Sequence, residues 1–234
     1  MKRLDKFLSE AGIGSRSELK GLLRSGAVRV NGTVQKDGGT QIDETTAEVS
    51  VNGTKVIGYH TVTVMLHKPA GYVTAADDPR ERTVMELLPA ELRQMKVMPV
   101  GRLDKQTEGL LLFTNDGALA HRLISPKYAV EKQYYAEHEG VATAEDIQAF
   151  RDGLTLADGT VCRPAKLEIS EPGKCYVTVT EGKYHQVRRM LASRGLPVTY
   201  LRREREGALM LGALPPGECR ELTECEIETI LSLF

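Results

Sequence analysis

One carboxylate, Asp104, stands out as the side chain of this sequence that is best placed to carry chemistry. It lies in the segment 99–117, PVGRLDKQTEGLLLFTNDG, where polar residues and glycines surround it. The apolar run 110–113 follows directly and is typical of a buried strand. Catalytic groups often lie on loops that a rigid element supports. The spacing therefore predicts Asp104 as a reactive acid on a loop that leads into a core strand.

Other common catalytic motifs do not occur in the sequence. Neither GxGxxG nor GxxxxGK[ST] is present, and there is no HExxH zinc motif. Asp116 belongs to the turn 115–117, so we do not expect it to form a glycosidase-like pair of acids with Asp104. We therefore expect chemistry without a nucleotide cofactor or a metal. No CxxC pair occurs, so we expect free thiols, typical of a reducing cytoplasm, at Cys162, Cys175, Cys219 and Cys225.

Positive charge is concentrated in two segments of a chain whose net charge is −1. Residues 1–36 carry eight Lys or Arg against three acids, and residues 183–205 carry seven against one. No apolar run reaches the length of a membrane span, and the N-terminus MKRLD has no signal region. These features predict a cytoplasmic protein that binds a polyanion at two places and does not bind a membrane.

The first forty-odd residues predict a compact module with two helices. Ser15 and Glu18 form a capping box for the second helix, which Gly26 ends. The sequence VRVNGTV (28–34) then predicts a hairpin with an Asn-Gly turn. Basic residues recur on one face of the second helix, at Arg16, Lys20 and Arg24.

The remaining sequence predicts a second, larger domain. Residues 44–60 are rich in Thr, Val and Gly and indicate a linker that contains one hairpin. Beyond residue 60, strand-like runs alternate irregularly with helical ones, which predicts an α+β fold with a mixed or antiparallel sheet. Strands are predicted at 62–67, 110–114, 132–138, 165–169, 176–180 and 209–214, and helices at 144–151, 186–194 and after 223.

These patterns resemble two known families. Helix, capped helix and VRVNG hairpin resemble the S4 RNA-binding domain. The long segment around Asp104 resembles the signature of the pseudouridine synthases, specifically those that modify ribosomal RNA and carry an S4 domain. Four further motifs occur in that family's order: LHKPAG (66–71), EKQY (131–134), GKYHQVRRM (182–190) and LPPGECRELT (214–223).

The resemblance implies an S4 domain at 1–43, a linker at 44–60 and a synthase domain at 61–234. It implies a cofactor-free isomerisation of uridine to pseudouridine, in which Asp104 either adds covalently to the nucleotide or removes a ribose proton. It further implies that Arg188 pairs with Asp104, that Tyr134 stacks on the target base and that Leu201 lines the uracil pocket. The residues expected to bind RNA are Arg102 in the signature and Arg3, Arg16, Lys20, Arg24 and Arg29 in the S4 domain.

Each of these roles has an ordinary structural alternative. Arg188 also fits a surface arginine beside Arg189, and Tyr134 fits a strand aromatic beside Tyr135. We interpret His185 as a residue that orients its loop or contacts phosphate, rather than as a base.

The segment LRRERxG (201–207) and the lack of a long basic C-terminal extension resemble the small-subunit enzymes. We therefore predict a monomer that acts on 16S ribosomal RNA, either naked or in an assembly intermediate. The alternatives are the same chemistry on 23S ribosomal RNA and a non-catalytic S4-type protein that binds ribosomal RNA.

Overall fold

The structure is a computed structural model that describes residues 1–44, 46–56 and 61–234. It divides into two compact units, one formed by residues 1–61 with 90–96 and the other by residues 62–89 with 97–234. Thr45 and residues 57–60, which fall in the predicted linker, lie outside the described residues. No helix among the described residues has the length and apolar character needed to cross a membrane.

Two helices form the centre of the first unit, α1 (Leu4–Glu10) and α2 (Arg16–Ser25). The predicted capping box is confirmed: the Glu18 backbone N–H donates to Ser15 Oγ, and the Ser15 backbone N–H donates to the Glu18 carboxylate at 2.7 Å. Gly26 ends α2 with a φ of 77°, as predicted. Buried side chains from both helices share one core with the strands of this unit.

The strands of the first unit form two small sheets. They are β1 (Lys2–Arg3), β2 (Val28–Val30), β3 (Thr33–Val34), β4 (Gln41–Ile42), β5 (Val49–Val51) and β6 (Thr54–Val56). β1 pairs with β4, and the other four are antiparallel in the order β3-β2-β5-β6. The described part of the predicted linker therefore extends the sheet of the first unit, because β5 pairs with β2 and buries Val49 and Val51. The unit also includes a short helix, α3 (Ala90–Gln94).

A nine-stranded mixed sheet forms the second unit. Its strands are β7 (Thr63–Lys68), β8 (Met98–Val100), β9 (Glu108–Thr114), β10 (Lys132–His138), β11 (Lys166–Glu171), β12 (Lys174–Val179), β13 (Val198–Glu206), β14 (Leu209–Met210) and β15 (Cys219–Glu221). Their order is β11-β12-β10-β13-β9-β7-β15, with β14 paired to β13 and β8 paired to β9. Among the described strands, β13 and β9 pair in parallel and their neighbours pair antiparallel.

Four α-helices and one 3₁₀ helix accompany this sheet. They are α4 (Gly117–Ile124), α5 (Ala144–Asp152), α6 (Gln186–Ala192), α7 (Glu224–Leu231) and the 3₁₀ helix Val84–Leu87. Side chains of α5 and α6 share a core with β10, β11 and β12, whereas those of α4 and α7 share a core with β7 and β9. Helix α4 is not among the predicted elements. Asp116, interpreted as a turn residue, is the N-cap of that helix and accepts hydrogen bonds from the backbone N–H groups of Ala118 and Leu119.

No strand is predicted at the central strand β13, because most of its sequence VTYLRRERE lies in the basic segment 183–205, for which polyanion binding is predicted. The Arg203 side chain is fully buried, and its Nε donates to the backbone oxygen of Leu110 at 2.7 Å. Its guanidinium also forms an ion pair with the buried Glu206 at 3.1 Å. Because each of these charges is paired with an opposite charge, both side chains can be buried in the middle of a sheet. The strand predicted at 209–214 is shorter in the structure, where only β14 (Leu209–Met210) forms.

Candidate active site

Asp104 lies on the loop between β8 and β9, with its side chain one third exposed at 34%. The backbone of this loop is held along its length. The Thr107 N–H donates to the Asp104 carbonyl at 3.0 Å. The Thr74 hydroxyl donates to the Leu103 carbonyl at 2.8 Å and accepts from the Leu103 N–H at 3.2 Å. The carboxylate therefore projects from a backbone whose position is fixed by hydrogen bonds.

A buried lysine at the end of β7 also holds the Asp104 loop through hydrogen bonds to its backbone. Lys68 Nζ donates to the carbonyl oxygens of Pro69 (3.1 Å), Lys105 (3.1 Å) and Thr107 (2.9 Å). Burial lowers the pKa of Lys68 to about 8, and the negative charges of Glu108 and Asp104 partly oppose this shift. Lys68 lies in the LHKPAG motif, for which no role is predicted. The available signal was a lysine that ends an apolar strand and precedes a proline.

Five sequence-predicted site residues line one small cavity of about 60 Å³ in the second unit. Two of them come from the β8–β9 loop, and the other three come from β10, α6 and β13 of the same unit. These residues are Arg102, Asp104, Tyr134, Arg188 and Leu201. The fold thus brings together side chains that lie up to about a hundred positions apart in the sequence. Their individual roles stay predictions.

The predicted ion pair between Arg188 and Asp104 is not formed among the described residues. Arg188 donates instead to the carbonyl oxygens of Gln106 at 3.1 Å and Val198 at 3.4 Å. It thereby links the Asp104 loop to the start of β13. The imidazole of His185 takes the nearer position, with Nε2 3.5 Å from Asp104 Oδ1, which makes an ion pair when His185 is protonated. His185 immediately precedes α6 and has a φ of 48°, which is uncommon for a residue other than glycine.

Tyr134 lies on β10, half-buried, and faces the cavity. Burial raises the pKa of its phenol, and the positive charge of Arg203 partly opposes this shift. Tyr135 points to the opposite face of the sheet, since side chains alternate along a strand. There its ring packs 5.6 Å from the ring of Tyr176. The geometry therefore favours Tyr134 over Tyr135 as the aromatic of the cavity.

Four of the five basic residues predicted for the first unit line a groove of about 760 Å³ within that unit. Arg3, in this groove, is paired with Asp5 at 2.6 Å. Arg29 lies outside the groove on β2 and donates to the Gly32 carbonyl at 3.0 Å. In the part of the chain that the structure describes, no ion pair or hydrogen bond occupies the side chains of Arg16, Lys20 and Arg24. These three charges are available to a polyanion.

The second basic segment, 183–205, presents much less free charge than its sequence indicates. Six of its seven basic side chains form ion pairs, several of them with acids that are distant in the sequence. The pairs are Lys183–Glu181, Arg189–Asp158, Arg194–Asp146, Arg202–Glu204, Arg203–Glu206 and Arg205–Glu131. The groove of the first unit is therefore the better candidate for contacts with phosphate groups. Among the described residues, no three His, Cys, Asp or Glu side chains are grouped so that they could hold a metal ion.

Comparisons with known proteins match both units. The S4 domain family matches residues 2–46, and the RNA pseudouridylate synthase family matches residues 62–193, which is more than half of the chain. The protein belongs to the RNA pseudouridylate synthase family. Its S4 domain and its mixed-sheet synthase domain agree with the α+β architecture predicted from the sequence.

Several relatives of this synthase extend over almost the whole chain. The uncharacterized RNA pseudouridine synthase YtzG of Bacillus subtilis is 44% identical over 97% of this chain and 98% of its own. Ribosomal small subunit pseudouridine synthase A of Vibrio cholerae is 40% identical over 97% of this chain and 99% of its own. Ribosomal large subunit pseudouridine synthase B of Bacillus subtilis is 36% identical over 100% and 97%, respectively. A crystal structure of a pseudouridylate synthase is similar with a TM-score of 0.69 and 35% identity, over 98% of this chain and 100% of the other.

Proposed function

We propose that this protein converts a specific uridine of 16S ribosomal RNA to pseudouridine. One observation carries the proposal. The Asp104 carboxylate lies in a cavity with Tyr134 and Leu201, on a loop that buried Lys68 holds in place. A fixed acid beside an aromatic ring and an apolar side chain suits a reaction on a nucleobase.

The reaction needs no redox step. The bond between uracil N1 and ribose C1′ breaks, the base turns, and a bond forms between C5 and C1′. C5 then loses its proton to solvent and N1 takes up a proton, so that the product is an isomer of the substrate. An ionised Asp104 can add to the nucleotide or remove a ribose proton while the uracil departs. In both routes Tyr134 stacks on the base and Leu201 covers it, which keeps the detached uracil in the cavity.

The target uridine must leave its stack in the RNA to reach Asp104, at a cost of a few kcal/mol. Contacts with the RNA backbone can offset this cost. The unpaired cations Arg16, Lys20 and Arg24 are suited to that purpose, because folded RNA is bound largely through phosphate and shape contacts.

The choice of 16S over 23S ribosomal RNA rests on two supports. The segment 201–207 resembles the small-subunit enzymes. In addition, small subunit synthases A of Vibrio cholerae and Yersinia pestis are 40% and 38% identical to this chain, against 36% for the large subunit synthase B of Bacillus subtilis. The same chemistry on 23S ribosomal RNA is the second candidate, because that large-subunit relative also covers the whole chain.

Tritium release from ribosomal RNA that contains 5-tritiated uridine tests the activity. We expect the purified protein to release tritium without added cofactor or metal, and Asp104→Asn to abolish release. Asp116→Asn is the matched control, because asparagine also caps helices well and should keep α4 and the activity intact. No release by the wild-type protein would support the non-catalytic alternative, and full release by Asp104→Asn would refute the role of that carboxylate.

Mapping pseudouridines in 16S and 23S ribosomal RNA from a deletion strain identifies the substrate. We expect one site to disappear from 16S RNA and to return when the wild-type chain is expressed, but not the Asp104→Asn variant. A site lost from 23S RNA instead would establish the second candidate.

A further inference from the structure

An exposed aromatic stack lies at the rim of the Asp104 cavity. Tyr184 is 75% exposed, yet its ring stacks on the imidazole of His185 with centroids 3.9 Å apart and planes inclined by 16°. Because His185 covers one face of the tyrosine ring, the exposed area belongs to the opposite face and the edge. His185 in turn lies 3.5 Å from Asp104. A series of Asp104, His185 and Tyr184 therefore leads from the cavity to solvent.

The backbone beneath this stack is fixed by the protein itself. The Tyr184 carbonyl accepts a hydrogen bond from Arg189 Nη1 at 3.3 Å. The Lys183 N–H donates to the side-chain oxygen of buried Gln186 at 2.9 Å. His185 has a positive φ of 48°, and its ring stacks on that of Tyr184. The stack is thus formed before any ligand binds, which reduces the entropic cost of binding to it.

A lone exposed aromatic on a protein surface needs no functional explanation. Tyr184 differs because it is stacked, because the neighbouring backbone is strained, and because it is one residue from a group that contacts Asp104. Strained backbone conformations concentrate at functional sites. An open aromatic face is also the feature that single-stranded nucleic acids bind, since every base has a π face.

We infer that Tyr184, supported by His185, is a stacking platform for a nucleobase adjacent to the target uridine. This inference rests on the proposed function. When the uridine is extruded from the RNA, its neighbours lose a stacking partner. The open face of Tyr184 replaces that partner and holds the flanking nucleotide while the uridine occupies the cavity. Tyr184 then acts as a substrate-binding residue, outside the chemical step.

Three substitutions separate stacking from simple packing. Tyr184→Phe keeps the ring, Tyr184→Leu keeps apolar bulk without a ring, and Tyr184→Ala keeps neither. Steady-state tritium release is measured on an RNA oligonucleotide that carries the mapped target. We expect kcat/KM to fall about tenfold to hundredfold in the Ala and Leu variants, mainly through KM, and to stay near wild type in the Phe variant. Val141→Ala, at a site 81% exposed, is the control and should change neither constant.

Abasic substrates test the contact directly. One oligonucleotide lacks the base on the 5′ side of the target uridine, and another lacks the base on the 3′ side. On one of the two, we expect the wild-type enzyme to lose affinity and Tyr184→Ala to cause no further loss, because the two changes remove the same contact. Additive losses on both substrates would overturn the inference.

The outcomes distinguish the inference from the proposed function. If the wild-type enzyme releases no tritium from any RNA, the proposed function fails. If the wild-type enzyme is active and Tyr184→Leu matches it, the function stands and the stacking platform is refuted.

Discussion

At the residue scale, the site depends on a carboxylate that the sequence predicts and a lysine that it does not. Asp104 is evident from its polar, glycine-containing segment before an apolar run. Lys68 contributes through burial and three carbonyl contacts, of which the two to Lys105 and Thr107 arise only when β7 lies against the Asp104 loop. The predicted pairing of Arg188 with Asp104 is not formed in this structure, for a related reason. Arg188 finds backbone acceptors that no sequence pattern reveals.

Replacing Lys68 should loosen the site and destabilise the fold. In Lys68→Met the apolar volume is kept, but three carbonyl oxygens lose a donor. We expect the free energy of unfolding to fall by about 2–4 kcal/mol, measured by urea denaturation, and kcat for tritium release to fall with it.

Lys105→Met is the matched control for this experiment. Its ammonium forms a partly exposed ion pair with Glu81, which is typical of pairs that contribute less than about 1 kcal/mol. Equal stability of Lys68→Met and Lys105→Met would contradict the anchoring role of Lys68.

At the element scale, local signals predicted some elements well and failed for others. The capping box at Ser15 predicted the start of α2, the helix predicted after residue 223 is α7, and β10 has its predicted bounds. β13 was not predicted, because charged residues occupy both of its faces and no alternation of apolar and polar residues marks a strand. Its Arg203 and Glu206 are buried as an ion pair, although charged residues usually lie on the surface. A charged side chain can be buried when an oppositely charged side chain is buried beside it, and Arg203 and Glu206 pair in this way within the sheet.

The parallel contact between β9 and β13 should not tolerate a side chain at Gly109. A Cβ there would lie 2.5 Å from the Arg203 backbone nitrogen and closer still to the Arg203 carbonyl oxygen, and Gly109 has a φ of 107°. We expect Gly109→Ala to lower the free energy of unfolding by more than about 3 kcal/mol, or to prevent folding. Urea denaturation and the yield of soluble protein measure this.

Gly117→Ala provides the comparison, because nothing lies within 4 Å of a Cβ at this first residue of α4. Alanine is favoured in helices, so stability should stay equal or rise by up to about 1 kcal/mol. A Gly109→Ala variant as stable as Gly117→Ala would show that β9 and β13 are not packed as described.

At the scale of the whole molecule, charge is distributed differently in space and in sequence. Both basic segments were predicted to bind a polyanion. The first keeps free cations in its groove, whereas acids such as Glu131 and Asp146, tens of residues away in the sequence, neutralise the second. Sequence segments reveal net charge, but ion pairing across a fold decides which charges remain available.

RNA binding by the whole chain should therefore depend on salt through the groove of the first unit. The triple variant R16Q/K20Q/R24Q should bind the RNA oligonucleotide more weakly. The slope of log Kobs against log salt should fall in magnitude by about 2–3, because each lost phosphate contact removes roughly 0.7–0.9. Fluorescence anisotropy at several salt concentrations measures both effects.

A second triple variant, K55Q/K166Q/K174Q, removes the same charge from lysines that are paired with glutamates outside the groove. Its slope should stay close to that of the wild type. An equal reduction in both variants would mean that net charge, rather than the groove, governs binding.

Hydrogen bonds to its backbone carbonyl groups hold the loop that carries Asp104 in place. Each carbonyl from 103 to 107 accepts a hydrogen bond, from Thr74, Thr107, Lys68 or Arg188. Side chains at 105 and 106 contribute none of these bonds, and Gln106 is exposed. Mutations at these two positions can therefore accumulate during evolution without displacing the carboxylate.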